Sequence, residues 1–165
     1  MSATSAAESI KLLSESRVSN FLAGARLGHL ATVDRGGAPH NIPICFWFDG
    51  DHFYFAIDEK PKRRTGMDLK RMRNIAENPR VALVIDHYEE DWTFLGYVLV
   101  HGNAVVVEDP NEYLLALRNL REKYPQYRQM ALVREANPMI RIDVDRAHVW
   151  GRRFKDGLAP DGTAR

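Results

Sequence analysis

Apolar residues recur along this chain at two different periods. From Ser9 onward, Ile10, Leu13, Val18, Phe21 and Leu22 fall at spacings near three and four, which predicts one helix from 9 to about 25. Residues 1–8 are small and polar and are read as a disordered N-terminus. The period then shortens to two in GHLATVD, and β-rich, aromatic runs follow it. GHLATVD (28–34), HNIPICFWF (40–48) and HFYFAI (52–57) predict three strands, joined by the turn sequences Arg35-Gly36-Gly37 and Asp49-Gly50-Asp51. Pro43 has no amide donor, so it places the second strand at an edge or a bulge.

Helical spacing returns at Met67, Leu69, Met72, Ile75 and Ala76, behind a capping-box-like Thr65 and Asp68, and stops at Asn78-Pro79. RVALVID (80–86) and TFLGYVLVHGNAVVVE (93–108) are β-rich runs. Asp109-Pro110-Asn111-Glu112 opens another helix with proline at its first position, and Leu114, Leu115, Leu117 and Leu120 form its predicted apolar face. MIRIDVD (139–145) alternates and runs on into AHVWG as the last strand, while 152–165 reads as a flexible tail. Short hairpin-joined strands with few helices predict an α+β fold: an antiparallel barrel with flanking helices, forming one domain over 9–151.

Composition narrows the function more by exclusion than by assertion. The chain has 165 residues, 45% hydrophobic and 27% charged, which suits one globular domain. Its net charge is +1 and its pI about 7.9, so no overall field draws it to nucleic acid or a membrane surface. No run approaches the ~18 apolar residues of a membrane helix, and a cytoplasmic location is expected. The lone Cys45 lies in an apolar run and reads as a small buried hydrophobe. The six histidines show no helical i, i+4 pair and no companion cysteines, so no metal site is expected. DHYEEDW (86–92) is acidic but reads as a solvated loop. Neither a phosphate-binding glycine loop nor a nucleophile elbow is present, so any redox chemistry falls to a cofactor.

One stretch departs from this even picture. In AIDEKPKRRTG (56–66), Lys60, Lys62, Arg63 and Arg64 precede a helix start, and Lys70 and Arg71 follow in its early turns. Cations at a helix N-terminus oppose the dipole, whereas an anion placed among them would gain amide donors, dipole and side-chain charge together. A seat for a small phosphorylated ligand is the favoured reading; a solvated loop and a nucleic-acid patch are the alternatives.

LATVDRGGAPHNIPICFWFDGDHFYFAID resembles the opening hairpins of pyridoxamine 5′-phosphate oxidase-like, flavin-binding split-barrel proteins. KPKRRTGMDLKRMRNIAENPRVALVIDHYEEDW resembles a subgroup assigned to the deazaflavin coenzyme F-420 (8-hydroxy-5-deazaflavin). The resemblance implies a six-stranded antiparallel split β-barrel that pairs into a homodimer with two cofactor sites at the subunit interface. It implies a ring system against Pro43, Ile44, Cys45 and Phe46 and against Ala56, Ile57 and Asp58. The phosphate end would meet Lys60, Lys62, Arg63, Arg64, Thr65, Lys70 and Arg71, with Asn74 in support, and Trp92 and Tyr97 would line the site from the partner subunit. The implied activity is hydride transfer between reduced coenzyme F-420 and a small electron-poor acceptor such as an enone or quinone. FMN is the alternative cofactor, and a non-catalytic flavin- or haem-binding protein the alternative role. The surplus of cations over one terminal phosphate favours the deazaflavin, whose oligoglutamate tail adds negative charge.

Overall fold

The computed structural model describes residues 5–58 and 69–155. The chain opens with two helices where the spacing predicted one: α1 (Ala6–Ser14) and α2 (Ser16–Gly24), separated by an extended Glu15. The apolar stripe explains the break. Leu13 and Val18 are both buried, and a five-residue step between them cannot stay on one helical face. Helix α1 also starts earlier than Ser9. Ser5 accepts from the Glu8 amide at 3.2 Å and its own amide donates to the Glu8 carboxylate at 2.7 Å, a closed capping box. Ser9 is then buried, its hydroxyl accepting from the Ala147 amide at 3.0 Å and docking α1 onto the last strand.

Among the described residues seven strands follow, not six: β1 (Gly28–Val33), β2 (Pro39–Ile44), β3 (Trp47–Phe48), β4 (His52–Ala56), β5 (Arg80–His87), β6 (Gly96–Val106) and β7 (Met139–Trp150). The predicted strand over 40–48 divides at Cys45-Phe46 into β2 and β3. All pairs are antiparallel, and the order across the sheet is β2-β1-β5-β6-β7-β4-β3. Strands β2 and β3 therefore lie at opposite edges yet are joined by two residues. Ile44 to Trp47 spans at most about 11 Å, so the sheet must curl until its edges nearly meet. This is a split barrel, with the seam at Cys45-Phe46. Pro43 sits on the edge strand, as its missing donor required.

Besides α1, two further helices among the described residues pack on the curled sheet: α3 (Lys70–Glu77) against β1, and α4 (Pro110–Lys123) against β3, β4 and β7. The α4 start is capped by Asp109, whose side chain accepts from the Asn111 amide at 3.0 Å. Its buried face is Tyr113, Ala116, Leu117 and Leu120; Leu114 and Leu115 point outward, correcting the predicted apolar face. Strand β4 is buried on both sides. Phe53 and Phe55 enter the barrel core beside Leu30, Leu83 and Ile142, while Tyr54 and Ala56 lie under α4. Strand β6 bulges at His101/Gly102, where a Cβ on Gly102 would lie 2.2 Å from the Asp143 carbonyl oxygen. The β6 strand begins at Gly96, because Trp92–Phe94 forms a 3-10 turn capped by Asp91. Beyond β7 the chain stays attached through Phe154, whose ring meets Phe21 edge-on at 5.2 Å. No helix among the described residues is long and apolar enough to cross a membrane.

Candidate functional site

A seam leaves backbone amides and carbonyls that the ladder cannot pair, and buried ones need partners. Side chains from the segment after α4 supply them. The Phe46 amide donates to the Tyr124 hydroxyl at 3.0 Å, and that hydroxyl lies 2.9 Å from the Phe46 carbonyl and 3.1 Å from the Arg26 carbonyl. The Ile57 carbonyl accepts from Asn137 at 3.0 Å, and the Ile57 amide donates to the Pro138 carbonyl at 2.9 Å. Both backbone segments expected to face a ring system are thus fixed from behind.

Around this seam four polar side chains converge. Burial pushes the Tyr127 hydroxyl well above its usual range, and the neighbouring Cys45 thiol and Asp58 carboxylate add to the effect. Arg71, half-buried on α3, is held below its ordinary value by desolvation, with Asp58 and Tyr127 pulling the other way. The Arg71 Nε is fully buried and has no hydrogen-bond partner among the described residues. One helical turn on, Asn74 is 1% exposed; its amide nitrogen donates to Thr32 Oγ1 at 3.0 Å, and its Oδ1 is also buried without a partner. A desolvated guanidinium with an unfilled donor is costly by itself and is relieved by an anion. The Arg71 N–H suits a phosphate oxygen, whereas the Asn74 Oδ1 is an acceptor and calls for a donor.

The expected residues are distributed unevenly over this frame. The structure brings together Cys45, Asp58 and Arg71, with Ile44, Phe46, Ala56 and Ile57 buried beside them and Pro43 exposed on the edge. Lys70 forms an ion pair with Asp34 at 2.5 Å, which holds that carboxyl below its usual range. Lys60, Lys62, Arg63, Arg64 and Thr65 lie outside the described residues. Trp92 is 72% exposed in its 3-10 turn. Tyr97 stacks on Trp150, ring centroids 5.6 Å apart, at the start of β6. No ring or hydrogen-bond contact among the described residues joins either of them to Arg71.

Three residues here carried no role in the sequence reading: Lys123, Tyr124 and Tyr127. The Lys123 ammonium lies 3.9 Å above the Phe46 ring and donates to the Leu22 carbonyl at 2.8 Å. Burial, reinforced by Arg26, lowers its pKa to about 8. The sequence signal was YPQYRQ, two tyrosines in a polar turn after a helix, but their partners lie some eighty residues away. Among the described residues no three His, Cys, Asp or Glu side chains group to hold a metal ion.

The chain shares this architecture with proteins of several functions. The HutZ haem storage protein from Vibrio cholerae superposes with a TM-score of 0.65 at 17% identity, covering 84% of this chain and 97% of that one. An F420 reductase superposes with a TM-score of 0.56 at 23% identity, covering 78% and 94%. At the sequence level, a 5a,11a-dehydrotetracycline/5a,11a-dehydrooxytetracycline reductase from Streptomyces rimosus subsp. rimosus is 31% identical over 135 residues, 79% of this chain and 78% of the relative. Residues 14–151 match the family model described as pyridoxamine 5′-phosphate oxidase. With the match spanning the whole curled sheet and its seam, the chain belongs to the pyridoxamine 5′-phosphate oxidase family.

Proposed function

We infer that this chain, an oxidoreductase of the pyridoxamine 5′-phosphate oxidase family, binds coenzyme F-420 and transfers hydride between it and a small electron-poor acceptor of the enone or quinone type. The observation that carries the reading is Arg71: a half-buried cation whose Nε–H has no partner among the described residues, on the helix that follows the Lys60–Arg64 run. When bound, the deazaflavin supplies the hydride donor. The chain's own residues hold and orient it. Arg71 receives the phosphate, with Lys60, Lys62, Arg63, Arg64, Thr65 and Lys70 assigned to the phosphate end and tail. The seam backbone at Pro43–Phe46 and Ala56–Asp58 supports the ring and keeps water from it. The Streptomyces relative is named as a reductase of dehydrotetracyclines, which supports reduction of an unsaturated acceptor. The working unit is a cytoplasmic homodimer, with Trp92 and Tyr97 reaching the site of the neighbouring subunit.

Fluorescence titration of the purified protein with coenzyme F-420 and, separately, with FMN tests this. F-420 should bind more tightly, and Arg71→Gln should weaken it about tenfold or more, the loss expected for one charge-assisted contact. Weak F-420 binding beside submicromolar FMN binding would refute the deazaflavin reading. An unchanged affinity in Arg71→Gln would misplace the phosphate.

A further inference from the structure

A second polar concavity lies on the opposite side of β1 from α3. It is a groove of about 570 Å³ between α2, the start of β1, the end of β5 and the turn after β7. Arg17, Arg26 and Arg153 line it together with His29 and Asp86, and Phe21 forms an apolar wall. Leu27, 50% exposed, extends that wall at the rim. The Arg153 Cζ lies over the Phe21 ring, 4.7 Å from its centroid, and burial holds the Arg153 pKa below the ordinary value. Arg153 and Arg26 each donate one N–H to a main-chain carbonyl, of Phe94 and of Lys123, and among the described residues neither makes an ion pair. Two carboxylates lie nearby: Asp86, its Oδ1 3.6 Å from His29 Nδ1, and Glu89, which lies 3.1 Å from His87 Nε2 and also attracts Arg153. Arg26 and Arg153 thus face the groove with Asp86 as its lining carboxylate, across a space large enough for a ring system.

The groove adjoins the seam. Gly28 and His29 are in register with Ile44 and Pro43, the first residues of the expected ring seat. We propose that this groove is the acceptor subsite, and that the acceptor is a planar organic anion: an aromatic or enone body packed on Phe21, with a carboxylate or ionised enol held by Arg26 and Arg153. The proposal rests on the oxidoreductase reading above, of which it names the substrate class. Guanidinium groups stacked on an aromatic wall recognise both halves of such a molecule, the charge through N–H donors and the body through its π face.

The test uses the full-length protein without cofactor and two fluorescent probes of nearly the same shape. One is the anion 8-anilinonaphthalene-1-sulfonate, the other its neutral analogue N-phenyl-1-naphthylamine. The anion should bind about tenfold more tightly than the neutral probe at low salt, and this preference should shrink as salt is added. Arg153→Gln and Arg26→Gln should each weaken the anion about tenfold and leave the neutral probe unchanged. Asp86→Asn should tighten the anion and leave the neutral probe unchanged, whereas a loosened fold that exposes apolar surface would raise the binding of both. Equal binding of the two probes, or indifference to all three substitutions, overturns the proposal. Displacement of the sulfonate by saturating coenzyme F-420 also overturns it, because the groove would then belong to the cofactor tail. Failure of F-420 to bind at all, with the probe results as expected, would instead sink the cofactor reading and leave the anion site standing.

Discussion

Replacing Tyr124 by Phe tests how the barrel seam is held. The substitution removes one oxygen and keeps the ring that packs against Tyr127, centroids 5.8 Å apart. That oxygen accepts from the Phe46 amide at 3.0 Å and lies within donating distance of the Phe46 and Arg26 carbonyls at 2.9 and 3.1 Å. Phe46 is fully buried, so its amide would have no water to turn to. An orphaned buried amide costs about 1–3 kcal/mol, and loss of the shared donor from two carbonyls brings the sum to about 2–3 kcal/mol. For a chain of this length each kcal/mol lowers Tm by about 2–4 °C, so the expected drop is about 4–12 °C. Thermal melts by circular dichroism measure it directly, with Tyr88→Phe, 65% exposed, as the matched control that should not move. Cofactor affinity should fall alongside, since Phe46 lies in the proposed ring seat. A Tm within 2 °C of the parent would mean that the hydroxyl is not what satisfies the seam, and the account of its closure would be wrong.

Gly102→Ala places a Cβ 2.2 Å from the Asp143 carbonyl oxygen inside the β6–β7 bulge. Overpacking against backbone costs about 3 kcal/mol or more here, so the variant should melt well below the parent; an unchanged Tm would remove the bulge from the determinants of the fold. Lys123 makes stability depend on alkaline pH, because its folded pKa of about 8 lies below the usual lysine value. Below pH 8 both states hold the proton and the penalty is constant; between pH 8 and about 10 the native state releases it first, the unfolded state binds more protons, and stability rises. Allowing for the partial exposure of the ammonium, the rise is about 1–2 kcal/mol. It should turn over above about pH 10, where unfolded tyrosines ionise and the buried Tyr124 and Tyr127 do not. Urea denaturation at stepped pH would show the rise in the parent and a flat response in Lys123→Met; the same rise in both would absolve Lys123.

What the sequence made legible was whatever local chemistry decides. Alternation in GHLATVD and MIRIDVD and the aromatics of HFYFAI marked strands, Pro43 marked an edge, and Asp109-Pro110 marked a helix start. The break at Glu15 was written in the five-residue step from Leu13 to Val18, but a stripe counted loosely at three and four hides it. The seventh strand was invisible for a better reason. Ile44, Cys45, Phe46 and Trp47 form an unbroken apolar run with no turn residue, because the chain does not turn there: it leaves one edge of the sheet and joins the other. Only the closure of the whole barrel distinguishes that step from a continuous strand. The cations at 60–64 were the clearest chemical signal in the sequence, and they fall outside the described residues.

The seam also explains why a ligand site should form there and not elsewhere on the sheet. Every other strand boundary is zipped by ladder bonds, and a zipped backbone has nothing to offer a ring with polar edges. At Cys45-Phe46 the ladder stops, and closure passes to two side chains, Tyr124 on the Phe46 amide and Asn137 on the Ile57 carbonyl. Those side chains come from one short stretch between α4 and β7, so the barrel is clasped from one side only. The other side carries α3, with Arg71 and Asn74 each keeping a buried polar atom unmatched among the described residues. Their partners lie outside the described residues, and the proposed cofactor is assigned to this place beside a seam already closed by Tyr124 and Asn137.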